Sequence, residues 1–88
     1  MLTIITTKQF EKGVKRMRKR DKNMSKLKEV VSKLENGEPL DKKYKDHQLI
    51  GNWNGHRECH IEPDWLLVYK TTETHLYLTQ TGSHSDLF

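Results

Sequence analysis

The sequence predicts an α+β fold: a small, antiparallel-rich sheet with two N-terminal helices packed on one of its faces. Three observations predict it. Apolar residues recur at helical spacing through residues 10–34, strand-like apolar runs fill residues 56–80, and the two kinds of segment do not alternate. A single domain over residues 1–88 follows from the length and from the lack of internal repeats or a separating linker.

Leu2-Thr3-Ile4-Ile5-Thr6 reads as a short first strand, its β-branched residues suited to a pleated surface. Thr6 or Thr7 caps the helix that follows, and Thr6 with Gln9 has capping-box spacing. In that helix Phe10, Val14 and Met17 form one apolar stripe among Lys12, Lys15, Arg16, Arg18, Lys19 and Arg20. Asp21-Lys22-Asn23 breaks the pattern. Met24, Leu27, Val30, Val31 and Leu34 then resume it as far as Gly37, a C-terminal stop followed by Pro39. A link this short makes the two helices an antiparallel pair.

Leu40 to Leu49 shows no period and reads as a loop holding Lys45, Asp46 and His47. The glycines of Gly51-Asn52-Trp53-Asn54-Gly55 point to a bulge or a tight approach, with Trp53 expected in the core. From His56 the chain reads as a strand. His56, Glu58, His60 and Glu62 fall on one face, and Arg57, Cys59 and Ile61 on the other. Pro63-Asp64 makes the turn, and Trp65 to Lys70 returns as a strand apolar on both sides. Thr71 to Thr74 turns again, Leu76 to Gln80 forms the last strand, and Leu66, Val68, Leu76 and Leu78 belong to the core. The tail from Thr81 to Phe88 is expected to fold back on the sheet.

Composition narrows the function. The chain has 88 residues, 33% of them hydrophobic, and would bury only roughly 60–65% of its unfolded surface, so its core is thin and a partner that binds the native state would stabilise it. The single Cys59 excludes an internal disulfide and a cysteine metal site, which suits a reducing compartment. No apolar run approaches a membrane span and no signal-peptide order is present, so a soluble cytoplasmic protein is expected. Charge is lopsided. Residues 1–45 hold 14 Lys/Arg against 6 Asp/Glu, residues 46–88 hold 2 against 6, and all five histidines lie in the second part. The first part is an electrostatic platform, and the second is where protons can move at neutral pH.

Tyr44-Lys45-Asp46-His47, Gly51-Asn52-Trp53, Gly55-His56-Arg57-Glu58-Cys59-His60, the run from Glu62 to Lys70 and the tail Thr81-Gly82-Ser83-His84-Ser85-Asp86-Leu87-Phe88 together resemble the YafQ branch of the RelE-type toxin superfamily. The resemblance spans essentially the whole chain, and its second half is the specific part. It implies a type II toxin that cleaves messenger RNA on the ribosome by metal-independent attack of the 2′-hydroxyl on the neighbouring phosphate. It also implies a cognate antitoxin, with operator DNA reached only through that antitoxin. By resemblance His47, His60, Asp64 and His84 are the acid–base residues. Glu58, Trp65 and Phe88 place the substrate, and Arg57 and Lys45 are expected to bind it. No cofactor is expected. Gln80 departs from the family, which often has Arg there, and a slower enzyme or a different cation in that role is the expected result.

Ordinary readings stand beside these. His75 and His56 can be simple surface histidines, and the basic helices a solvated face. His56, Glu58 and His60 share a strand face and have metal-binding chemistry, but a third compact ligand is not evident. A non-catalytic ribosome-binding module and an antitoxin co-repressor are the competing functions.

Overall fold

A computed structural model describes residues 1–88. Strand β1 (Thr3–Thr6) leads into α1 (Lys8–Lys19), and α2 spans Met24–Glu35. Strands β2 (His47–Gln48), β3 (Arg57–Glu62), β4 (Trp65–Thr71) and β5 (His75–Gly82) follow, then a short α3 (His84–Leu87). Thr7, not Thr6, caps α1. Its hydroxyl accepts the Phe10 N–H at 3.0 Å and donates to the Thr79 carbonyl at 2.6 Å, so one side chain starts the helix and ties it to β5. Asn23 caps α2 by accepting from Ser25.

The five strands lie in the order β1-β5-β4-β3-β2, with β1 parallel to β5 and the other pairs antiparallel. α1 packs along β5, where the backbones nearly touch: a Cβ on Gly13 would fall 2.1 Å from the Thr81 carbonyl oxygen. Phe10, Met17, Leu27, Val30 and Leu34 of the helices bury against Cys59, Ile61, Trp65, Leu67, Leu76 and Leu78 of the sheet. Leu66 and Val68 are also fully buried but stand outside this cluster, on the opposite face. Each contributes on the order of 1.5–3 kcal/mol to folding, and together they form the floor of the surface described below.

The α+β architecture is as expected, with local corrections. His47 and Gln48 form a two-residue strand on β3 within the predicted loop. Residues Gly51–Trp53 make a 3-10 turn, and Trp53 is only half-buried, edge-on to His56 at 5.5 Å between ring centroids. The tail folds back on β5 as α3. A register shift between His60 and Glu62 turns Glu62 away from the histidine face, and Lys22 (3.0 Å) and Lys26 (2.8 Å) of the helical side take its carboxylate.

Candidate active site

Residues directly opposite in an antiparallel pair share a face. The register sets His47 opposite Glu58, Glu58 opposite Val68, and Val68 opposite Gln80. It also sets His60 opposite Leu66. His47, Glu58, His60 and Gln80 therefore stand together, with Leu66 and Val68, on the face the helices leave open. Glu58 is only 6% exposed, and its Oε1 lies 3.5 Å from His47 Nε2 and 3.7 Å from His60 Nε2. A carboxylate this enclosed needs a partner, and the two imidazoles are its only ion-pair partners.

Backbone acceptors fix the orientation of both rings. His47 Nδ1 is 2.7 Å from the Lys45 carbonyl, and His60 Nδ1 is 3.3 Å from the Pro63 carbonyl. A carbonyl oxygen only accepts, so each Nδ1 bears a proton and donates it. Nε2 is then the nitrogen left to exchange a proton, and in both rings it lies nearest Glu58 Oε1. The rings are neighbours, with centroids 6.4 Å apart.

His84 joins from the tail, its ring centroid 5.7 Å from that of His60. Asp64, in the β3–β4 turn, receives both the backbone N–H (2.9 Å) and Nδ1 (2.6 Å) of His84 on one carboxylate oxygen. These two bonds, the backbone one foremost, hold the Asp64 carboxyl below its ordinary value, so it stays ionised and Nδ1 of His84 also donates. The three imidazoles thus share one feature, an anchored Nδ1, and in His47 and His60 the Nε2 lies beside Glu58.

Four residues can form α3 only with outside support. Ser83 and Asp86 make a reciprocal capping box, and Arg20 at the end of α1 grips Asp86 through Nη1 (2.7 Å) and Nη2 (3.1 Å). Arg20 first, and the Ser83 N–H next, hold the Asp86 carboxyl far below the usual carboxylate range. α1 therefore positions His84. Neither Arg20 nor Asp86 was among the predicted site residues, although Ser83-x-x-Asp86 has the spacing that signals a capping box.

Three expected substrate-binding residues lie elsewhere or present themselves differently. Arg57 is on the helical face, where its Nε donates to Asp46 at 3.2 Å, and the Tyr69 hydroxyl donates to the same oxygen at 2.7 Å. Alternation along β3 puts it on the face opposite Glu58 and His60, where it anchors the loop before His47. Trp65 is 0% exposed, with its indole N–H on Thr81 Oγ1 at 2.9 Å, so it has no face open to a base and can only support β5 from below. Phe88 remains 61% exposed beyond α3, with its N–H bonded to the His84 carbonyl. Lys45 is exposed in a left-handed conformation (φ 49°) beside His47. His56 and His75 stay outside the row, His56 against Trp53 and His75 bonded to Thr74 Oγ1 and stacked on Tyr77. No group of three His, Cys, Asp or Glu side chains is arranged to hold a metal ion.

An open sheet face that gathers three imidazoles and two carboxylates over an apolar floor defines a small α+β protein whose candidate site carries groups able to exchange protons. A family model described as a bacterial toxin of type II toxin-antitoxin system, YafQ, matches residues 2–88. The chain belongs to this YafQ family. It is 48% identical over 81 residues to the mRNA interferase toxin YafQ of Escherichia coli K12, covering 91% of this chain and 88% of that one. Its structure superposes on YafQ in the E. coli DinJ-YafQ toxin-antitoxin complex with a TM-score of 0.92 at 45% identity, covering 99% and 97% of the two chains. A metal-bound toxin from Helicobacter pylori gives a TM-score of 0.93 at 47% identity, with both chains fully covered.

Proposed function

We propose that this toxin is a ribosome-dependent endoribonuclease that cuts messenger RNA by metal-independent acid–base catalysis and so inhibits translation. The observation that supports this most is the gathering of His47, His60 and His84 at one site, each with Nδ1 bonded and Nε2 left for proton exchange, beside Glu58 in the case of His47 and His60. One Nε2, as base, takes the proton of the ribose 2′-hydroxyl while the 2′-oxygen bonds to phosphorus. The P–O5′ bond breaks, and a second Nε2–H gives its proton to the departing oxygen, leaving a 2′,3′-cyclic phosphate and a 5′-hydroxyl. His60 and His84 are the central pair and His47 completes proton transfer. Asp64 holds His84 in its tautomer, and Glu58 sits between His47 and His60. Each such group is typically worth ~10²–10⁴-fold in rate.

A cognate antitoxin holds the protein inactive, as DinJ is the partner of the E. coli relative. The basic faces of α1 and α2 meet ribosomal RNA, where lysine and arginine neutralise phosphates. The protein acts in the cytoplasm and reaches operator DNA only through its antitoxin.

Primer extension on a reporter message in a purified translation system, with and without ribosomes, compares the native chain with His84→Ala. Cleavage inside codons that needs ribosomes and is lost in the variant is the expected result. Intact message with the folded, ribosome-bound native chain would overturn it and favour a non-catalytic binding module.

A further inference from the structure

A cavity of about 470 Å³ opens beside His60. Lys26 of α2, Lys43, Tyr44 and Lys45 of the 3-10 turn (Lys42–Tyr44) and its C-terminal residue, and Glu62 form its wall. Its volume falls in the range that holds a small ligand or one nucleotide.

The charges in this wall are not equivalent. The Glu62 carboxylate is already shared between Lys22 and Lys26, which accounts for its lowered pKa. Glu29, the other carboxylate in the wall, makes no ion pair, and neither do Lys43 and Lys45. Lys43 is not left to wander: its ammonium lies 5.2 Å from the centroid of the Tyr44 ring, at the cavity. Lys45 keeps a left-handed backbone that costs a non-glycine residue roughly 1–2 kcal/mol. Two contacts hold it there, its N–H on the Lys42 carbonyl at 3.0 Å and its own carbonyl under His47 Nδ1 at 2.7 Å. The contact that orients the His47 ring thus also fixes the lysine beside it.

We propose that this cavity is a subsite for the nucleotide adjoining the cleaved bond, with that nucleotide's phosphate held by Lys43 and Lys45. The assignment rests on the nuclease reading and adds to it a binding residue, Lys43, and a place for a second nucleotide. RNA is the occupant the geometry favours, because the unpaired ammoniums adjoin the imidazole row. His60 belongs both to the cavity wall and to that row.

The test is a cycle between one side chain and single phosphates of the message. Reporter messages bear an uncharged methylphosphonate at one of the positions flanking the cleavage site, and single-turnover cleavage on ribosomes is measured with the native toxin and with Lys43→Gln. Thermal melting confirms that the exposed Lys43 can be replaced without loss of the fold. At one flanking position, Lys43→Gln and the neutral phosphate should each slow cleavage roughly tenfold, and the two together still roughly tenfold, because both remove the same contact. Penalties that multiply at every position overturn the subsite while leaving the nuclease reading intact. A Lys43→Gln protein that cuts normally but resists its antitoxin would assign the cavity to the protein partner instead. A native protein that cuts no message removes the nuclease reading and the subsite together.

Discussion

Gly13→Ala separates close packing from helix propensity, because the two act in opposite directions. Alanine is favoured over glycine within a helix by roughly 1 kcal/mol, so propensity alone predicts a more stable protein. The new Cβ would sit 2.1 Å from the Thr81 carbonyl oxygen and 3.1 Å from the Thr81 carbonyl carbon and Cγ2. A carbon and a carbonyl oxygen need ~3.3–3.6 Å. No rotamer relieves the clash, since one partner is helix backbone and the other is strand backbone, so α1 must lift from β5 by about 1 Å or more. Overpacking of this kind costs about 1–3 kcal/mol, and a rigid contact belongs at the upper end. The net is a loss of about 1–2 kcal/mol, or a fall in Tm of roughly 5–15 °C for a domain of this size. Lifting α1 also draws Arg20 away from Asp86, so cleavage should fall further than the unfolded fraction explains. Differential scanning calorimetry and single-turnover cleavage below the transition check both parts. A Tm that rises by a few degrees would refute the packing argument.

Other outcomes follow from the same geometry. Asp46→Ala leaves the nearly buried Tyr69 hydroxyl and Arg57 Nε without their acceptor, so Tm should fall by the equivalent of ~1–3 kcal/mol and the His47 loop should loosen; a Tm equal to that of the native chain would sink this reading. Burial pushes the Cys59 thiol up to about 12, so iodoacetamide should leave the native protein unmodified at neutral pH and label it after denaturation, as mass spectrometry would show. Glu62, Asp64 and Asp86 are all held below their ordinary values. As pH falls the unfolded chain therefore binds protons first, so their contribution is complete above about pH 5 and is lost below it; Asp86→Asn should flatten that acid limb of a Tm-against-pH curve. Gln80→Arg adds a guanidinium to the row opposite Val68 and should speed single-turnover cleavage, and an unchanged rate would show that this position does not limit the reaction.

Much of this architecture was legible in the sequence, because helices of 12 residues and strands of 6 to 8 impose a period. The stripe Phe10, Val14, Met17 and the run from Trp65 to Tyr69 each point to one structure, and the Asp64 turn follows from Pro63. What was not legible depends on contacts between distant residues. His47 and Gln48 pair with Glu58 and Arg57 in a strand too short to show a period. One shifted residue near Ile61 reassigns Glu62 from the histidine face to Lys22 and Lys26. Arg57 looks like a substrate ligand in a motif, yet alternation along β3 gives it to Asp46 and Tyr69. α3 is announced only by the capping-box spacing of Ser83 and Asp86, and it is held by a guanidinium 66 residues earlier in the chain.

The placing of β5 between β1 and β4 bears on how the protein is made. A strand that enters the sheet last but occupies an inner position works as a keystone. Until residues 75–82 have left the ribosome, β1 has no neighbour, α1 has nothing to lie on, and Arg20 waits for an acid not yet synthesised. Contacts spanning some 70 residues make such a sheet close late and cooperatively. An unfinished nascent chain that lacks β5 and the tail therefore has two of the imidazoles of its row and no third.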